Sequence, residues 1–513
     1  MAASVTANLT SITDGSSDSA DWTNTDGTDN EIYIMGSGSE SWYVAKNSTP
    51  TATFDAYSAN GNTAFDMSAT DTHLYFWVYS TVALLIATKA SSGLTVRIED
   101  GSSNYKEWKV AGSDTWDGRW TCFVQDVNAT ADASSGTLSY TDIRTIKFYV
   151  NSSGATYSSS PANFWIDTIR FGTGLTITGT SWDLADVAAI DEATANKYGI
   201  LQEVDGVLFC QGRLIIGDAT GSTTTSLVSS NETLYFPDRP VSSGLYKIQA
   251  VASATASTTL DIDGLVCKTV DTSRCDIDFS DTDLGTITID GSTFLDMGLI
   301  DLDANCTVKT CKFDNCRQIG PSTATFEENT ITNYAGSKGG GLLWPGGTTT
   351  KKCTFSNCSN GVEHDSITSV HTGTADAAGT STTLYDTGNF ASGVAVNDYA
   401  YNETDGSYAK VTAIVDSDEI TTEALTGGTD NTWQNNDVYS ISPAETYTDM
   451  LFSSNTVDVN NTAAGSDGLF VSKSGTSNPT TSSGNVVFLG SVPITITVKD
   501  GAGTVIENAQ TGV

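Results

Sequence analysis

The sequence predicts an all-β protein, and three observations predict it. Thr, Ser, Gly, Asp and Asn crowd the 513 residues, while helical patterns built from Leu, Glu, Lys and Ala are almost absent. Short runs of alternating apolar and polar residues, broken by Gly, Asn, Asp and Ser, fill most of the chain. One phrase, Cys-x-Phe-x-Asn-Cys, is written twice: Cys311, Phe313, Asn315 and Cys316, then Cys353, Phe355, Asn357 and Cys358. A chain this long also implies several domains, because single cores stop growing well before this size.

Residues 1–174 hold seven of the ten tryptophans and read as a β-sandwich. The expected strands are "EIYIMG", "SWYVAK", "THLYFWVYS", "LTVRIED", "YKEWKV", "RWTCFVQDV", "IRTIKFYVN" and "NFWIDTIRFG", spaced as sandwich strands are. Their order resembles the jelly rolls of carbohydrate-binding modules. In those, a late strand of the type seen at Trp165 to Phe171 closes the sheet.

One helix is expected, in "SWDLADVAAIDEATANKYG" from Ser181 to Gly199. Leu184, Val187, Ala188 and Ile190 recur there at helical spacing, and Ser181 or Asp183 can serve as N-cap.

Residues 175–365 carry a repeat. Phe294, Phe313, Ile331 and Phe355 are spaced by 19, 18 and 24 residues, and two positions after each stands Asp296, Asn315, Asn333 or Asn357. One apolar anchor and one turn-forming side chain per period is the pattern of a solenoid. It resembles a right-handed parallel β-helix, with coils about 4.8 Å apart and like side chains stacked inside. Alternation turns Cys311 and Phe313 inward together, and places Asn315 at a corner where it can bond turn backbone. Asn329 and Tyr334 fill the two Cys places in the intervening coil. The cysteines thus read as small buried apolar groups. A zinc site has a permissible ligand spacing, but two coils would separate its halves by roughly 10 Å.

Residues 366–449 leave the repeat. The strands "TTLYD", "DYAYNE", "YAKVTAIV", "EITTEAL" and "DVYSI" read as a small inserted β domain, similar to a module of bacteriophage tail and surface proteins. Residues 450–490 return to the coil texture. The last 23 residues, 491–513, read as the first strands of an immunoglobulin-like domain. A lone hairpin is marginal in water, so the sequence reads as cut short there or as pairing with another chain.

The net charge is −37, with only 24 Lys and Arg, which disfavours phosphate backbones and makes bound divalent cations plausible. The start has no basic segment followed by an apolar run, and no stretch reaches the ~20 apolar residues of a membrane helix. The expectation is a protein made in a cytoplasm, its nine cysteines reduced.

Candidate residues follow from this frame. Tyr75, Trp77 and Tyr79 alternate onto one face of "HLYFWVYS" and form a row that can stack sugar rings; burial of both faces is the competing reading. Trp108, Trp116 and Trp120 cluster near a loop and invite the same two readings. Asp261 with Asp263, Asp276 with Asp278, and Asp301 with Asp303 are Asp-x-Asp pairs, read as solvated faces or as rows bridged by Ca²⁺. Glu327, Glu328, Glu363 and Asp365 are the candidates for paired-carboxylate glycan hydrolysis. Among 61 acidic residues such pairs arise everywhere, so none identifies a site alone. His73, His364 and His371, the only histidines, leave little room for a His-based centre.

Together the parts resemble virion surface proteins of bacteriophages. That resemblance implies a structural or adhesive fibre, spike or head decoration on the virion surface, commonly a homotrimer, with contacts to other virion proteins and host glycans. The alternative it carries is a tailspike polysaccharide depolymerase. A secreted glycan-binding or pectinolytic protein is the third reading, disfavoured by the missing export signal.

Overall fold

The computed structural model describes residues 4–490, apart from 14–19, 35, 45–47, 82–93, 111–119, 151–161, 181, 195–198, 238–245, 273–274, 303–304, 322–323, 336–340, 346–349, 368–369, 464–466, 477–478 and 480–481. The expected hairpin of 491–513, Trp116 and Asp303 lie outside the described residues. The chain is nearly all β and divides into two compact units. One comprises Met1–Pro345, Cys353–Glu363 and Ser453–Thr456; the other comprises Gly346–Lys352, His364–Phe452 and Val457–Val513.

The first unit begins with two antiparallel sheets. One orders the strands Ala133–Ser135, Tyr105–Val110, Leu94–Asp100, Ile143–Val150, Thr51–Phe54 and Trp22–Thr23. The other is built on the 17-residue strand Ala162–Thr178, flanked by Ser4–Thr13, Ser39–Val44 and His73–Ser80, with Thr121–Asp126 beyond. Alternation sends Leu74, Phe76 and Val78 into a core shared with Phe54, Phe123, Phe148 and Phe164.

Two expectations fail here. "EIYIMG" is not a strand: Asp29 Oδ1 accepts the N–H groups of Glu31 and Ile32 and folds that stretch into bends. Ser4–Thr13 is a strand the sequence hid behind its Thr and Ser content.

Ala162–Thr178 also starts the repeat, because Leu175–Ile177 pair in parallel with Leu214–Ile216. From there each coil lays one strand on each of three parallel sheets. The first sheet continues through Arg213–Gly217, Tyr246–Val251, Cys275–Phe279, Leu299–Leu302, Gln318–Gly320, Leu342–Leu343 and Asn360–His364. The second runs through Thr225–Ser230, Thr258–Asp263, Ile287–Asp290, Cys306–Lys309 and Thr325–Glu327. The third runs through Val207–Cys210, Thr233–Tyr235, Val266–Lys268, Thr293–Leu295, Lys312–Asp314, Thr330–Thr332 and Thr354–Ser356.

The anticipated ladder is in register. Phe294, Phe313, Ile331 and Phe355 are Cα partners on the third sheet. The rings of Phe294 and Phe313 stack at 5.1 Å and 8°, a pair worth about 0.5–1.5 kcal/mol beyond burial.

Left-handed residues recur at two of the coil's corners. Between third and first sheets these are Asp296, Asn315, Asn333 and Asn357, with φ of 59°, 53°, 64° and 56°. Asn315 Nδ2 donates to Asp296 Oδ1 at 2.7 Å and Asn333 Nδ2 to Asp314 Oδ1 at 2.8 Å. Asn is favoured because it tolerates this backbone and bonds locally. Between second and third sheets the same role falls to Asn231, Gly264, Gly291, Thr310, Glu328 and Lys352.

The four cysteines of the repeated phrase each follow a corner residue and turn inward. Cys311 Sγ donates to Ile289 O at 3.6 Å, Cys316 to Phe294 O at 3.5 Å, Cys353 to Phe326 O at 3.7 Å and Cys358 to Ile331 O at 3.7 Å. Each thiol therefore bonds the coil before it. Burial pushes the thiols of Cys311, Cys316 and Cys353 up to about 12, so they sit in the stack as protonated, apolar groups. Among the described residues no group of three or more His, Cys, Asp or Glu is placed to hold a metal ion.

The expected helix spans Leu184–Thr194, with Asp183 Oδ1 accepting the N–H of Asp186 at 2.6 Å as N-cap. Leu184 faces the coil interior with Leu214, Leu227 and Leu234.

In the second unit, a six-stranded antiparallel sheet orders His371–Thr374, Val438–Ser442, Tyr399–Asn402, Tyr408–Ile414, Glu419–Thr422 and Thr383–Tyr385. Its core includes Leu384, Phe390, Val411, Ile420, Trp433 and Ile441. Parallel pairing resumes afterwards, Glu445–Thr448 with Val471–Ser474 and Leu469–Val471 with Val486–Phe488.

Candidate functional site

The aromatic row of "HLYFWVYS" grades from buried to open. Tyr75 is 1% exposed and Trp77 6%, while Tyr79 is half-buried. They lie on the outer side of the second sandwich sheet, where Tyr75 and Trp77 pack with Cys122, Val124 and Trp120. Tyr75 is used up in packing: a Cβ on Gly212 would meet its hydroxyl at 2.9 Å, so the glycine makes room for the ring against the first coil. Tyr79 stands edge-on to Trp120 at 5.7 Å and to Trp165 at 5.3 Å. Trp165 is fixed in turn by its Nε1, which donates to Asp29 Oδ2 at 2.8 Å.

Beyond Trp77 a cleft of about 320 Å³ opens, lined by Trp77, Trp120, Thr121, Cys122, Phe209, Gln211, Tyr235 and Pro237. Its far wall comes from the coil. Phe209 and Tyr235 are register partners on the third sheet, with rings edge-to-face at 5.6 Å. Lys268 continues that outward row, its Nζ 5.2 Å from the Tyr235 ring. Of the expected sugar-stacking residues, Trp77 and Trp120 line the cleft, and Tyr79 braces Trp120. Trp108 is a correction: it is 1% exposed, sits in the sandwich core and donates Nε1 to Ala129 O at 3.3 Å, so it offers no face to a ligand. Sequence reasoning missed Phe209 and Tyr235, whose signal was an aromatic at the outward parity of two successive coils.

The acidic candidates separate. Asp261 and Asp263 are exposed on the second sheet, whereas Asp276, Asp278 and Asp301 project from the first. Glu327 faces outward with Lys309 Nζ 3.8 Å away, and Glu328 is the neighbouring left-handed corner. One is a strand residue and the other a corner, so the two do not form a carboxylate pair on one strand face. Asp365 is exposed and Glu363 half-buried.

The first sheet, however, assembles an outward row: Thr176, Ile215, Gln249, Asp278, Asp301 and Gly320 are successive register partners, and the partners Leu343 and Glu363 continue it one residue beyond the Ile319–Leu342 pair. Lys247 Nζ meets Asp278 Oδ2 at 2.8 Å. Burial works against ionisation of Asp278, but this ammonium and the Ser280 hydroxyl outweigh it and hold the carboxyl below its usual range. Asp301 moves the other way, raised by burial and by the charges of Asp278 and Asp276. Beside Asp301 the row drops to Gly320, where a Cβ would stand 3.1 Å from Asp301 Oδ1. That notch opens into a hollow of about 360 Å³ walled by Ser280, Leu343, Trp344 and Pro345.

No family model matches the chain, and no curated protein does. Solved structures that it resembles include an exo-beta-agarase, at 13% identity and TM-score 0.23 over 31% of this chain and 24% of that one. They include the CBM22-1 xylan-binding domain from Paenibacillus barcinonensis Xyn10C, at 10% identity and TM-score 0.20 over 32% of this chain and 91% of that one. They also include the catalytic domain of a GH87 alpha-1,3-glucanase in complex with nigerose, at 9% identity and TM-score 0.20 over 94% and 98%. The chain spans about a quarter of the length of the agarases it matches. Likenesses of this size leave the functional reading to the chain's own residues.

Proposed function

We propose that this protein binds glycans through the cleft between the sandwich and the first coils. One observation carries the reading: Trp77, Trp120, Phe209 and Tyr235 surround a space of about 320 Å³ with the Gln211 amide beside them. Flat rings offer surfaces to the C–H faces of pyranoses, and a lone amide supplies direction through hydroxyl hydrogen bonds. The test is calorimetric titration with a panel of neutral and acidic oligosaccharides. Trp120→Ala is expected to weaken the best binder by about tenfold or more, near 1.4 kcal/mol. Unchanged affinity overturns the cleft.

The finer reading, a structural and adhesive component of a virion surface acting as a homotrimer, rests on the sequence resemblance alone. Native mass in solution, with and without a calcium chelator, tests it. A stable trimer supports the fibre, and dissociation on chelation places Ca²⁺ among the aspartates. A monomer in both conditions counts against it.

A second reading is polysaccharide hydrolysis, favoured by Asp278 and Asp301, neighbours in register whose carboxyls are pushed in opposite directions. Such a pair suits one proton donor, Asp301 towards the glycosidic oxygen, and one ionised partner, Asp278. Release of reducing ends that Asp301→Asn abolishes would establish it, and release that survives the substitution would dismiss the pair.

A further inference from the structure

The outer face of the first coil sheet carries a second feature, distinct from the aromatic cleft. A hollow of about 480 Å³ lies at its start, lined by Thr70, Thr173, Thr176, Thr178, Arg213 and Gln249, among others. Arg213 is 7% exposed. Its Nη1 meets Asp71 Oδ2 at 2.8 Å and its Nη2 donates to Gln249 Oε1 at 3.0 Å, but its Nε is buried with no hydrogen-bond partner. From there a polar ladder leads along the sheet: Gln249 Nε2 donates to Asp278 Oδ2 at 3.3 Å, and Asp278 neighbours Asp301. The ladder ends at the notch of Gly320 and the hollow under Trp344.

The strands crossed from Ala162–Thr178 to Leu342–Leu343 number seven, so their six spacings measure about 29 Å at ~4.8 Å each. That spacing is close to the advance per ring of an extended pyranose chain. We infer that this face is a groove for a neutral, linear polysaccharide lying across the strands, with Arg213 and Gln249 gripping hydroxyls at one end and Trp344 supporting a ring at the other.

The charge pattern selects the neutral class. Two cations of the face, Arg213 and Lys247, are already paired with aspartates, and the charge of a third, Arg317, acts on Asp276. Asp218, Asp276 and Asp301 add negative charge, so a uronate or sulfated chain meets repulsion while sugar hydroxyls meet donors and acceptors. The notch at Gly320 gives a bulky ring access to the row between Asp301 and Leu343.

This inference rests on the glycan reading but on a different surface, so separate variants distinguish the two. Gly320→Leu fills the notch from the exposed side, and Gln249→Ala removes a rung without touching the core. Calorimetry of the full chain would use neutral linear hexasaccharides of glucose, galactose and mannose beside hexamers of galacturonate and mannuronate. The expected result is binding of a neutral hexamer that persists in Trp120→Ala and falls at least tenfold in Gly320→Leu and in Gln249→Ala, with no binding of the uronates. If Trp120→Ala abolishes all binding, the groove falls and the cleft stands. If Gly320→Leu and Gln249→Ala change nothing, or a uronate binds and Gly320→Leu removes it, the groove is overturned. Failure of every sugar to bind overturns both.

Discussion

Asn329 does for Cys311 what no thiol at its place can do. Its Oδ1 accepts the backbone N–H of Cys311 at 2.9 Å while its Nδ2 donates to Val308 O at 3.1 Å, joining two coils inside the stack. Cys353 holds the equivalent place one coil later and donates through its sulfur to Phe326 O at 3.7 Å. At these three corners the next position takes a small inward group with a donor, a thiol or an amide, whereas Leu265 and Met297 fill the same place with apolar bulk after other corners.

Asn329→Ala is expected to leave a buried N–H and a buried C=O unpaired, costing roughly 2–6 kcal/mol at about 1–3 kcal/mol for each group. Asn329→Cys should cost less, because a thiol can still reach the Val308 carbonyl. Urea unfolding of both variants checks the order. Equal losses would mean that the site needs only volume.

The corners make a separate prediction. Asn315 sits at φ 53° and bonds Asp296. Asn315→Ala forfeits the bond and places an alanine in the left-handed region, costing about 1–2 kcal/mol for the backbone alone. Asn315→Gly keeps the backbone easy and loses only the half-buried bond, so its denaturation midpoint should lie between alanine and the parent. An alanine variant as stable as glycine would remove the conformational argument.

Trp108 and Trp120 divide what the sequence grouped together. Trp108→Ala is expected to cost about 3–5 kcal/mol of stability by opening a cavity in the sandwich core, and to leave glycan affinity intact wherever the protein stays folded. Trp120→Ala should do the reverse. Thermal melts and titrations on the same two proteins decide it, and matching behaviour would return both residues to a single role.

The contrast shows what the sequence could carry. Register and corners were legible because the coil repeats: Phe294, Phe313, Ile331 and Phe355 can be aligned without coordinates, and each Asn or Asp follows at a fixed offset. The Ca²⁺ candidates were not legible as a set, because Asp261 and Asp278 look alike in sequence yet face outward from different sheets. Asp278 and Asp301 acquire opposite carboxyl behaviour largely through Lys247, 31 residues before the first of them, whose ammonium is set by parallel register. The cleft was half legible for the same reason. Alternation placed Trp77 on the outer face, but Phe209 and Tyr235 reach it through a second domain's packing, which no local pattern records.

His364 gives a pH dependence with a definite sign. It is buried, its Nε2 lies 2.7 Å from the Tyr447 hydroxyl, and burial drives its pKa down to about 3. The unfolded chain holds this imidazole near its ordinary value of ~6.5. As pH falls below that value the unfolded state takes up a proton that the folded state refuses, so stability is lost progressively towards pH 3. Above about pH 7 the contribution is complete and flat. His364→Phe keeps a ring against Tyr447 and removes the titration, so its stability between pH 7 and pH 4 should fall less steeply than the parent's, by up to ~1.4 kcal/mol for each pH unit below the unfolded value. The Tyr447 hydroxyl loses its bond to the imidazole in that variant, which lowers stability at pH 7 without altering the slope. Parallel urea titrations at pH 7, 5.5 and 4 separate the two effects, and identical slopes would show that His364 takes up a proton as readily in the folded state as in the unfolded one.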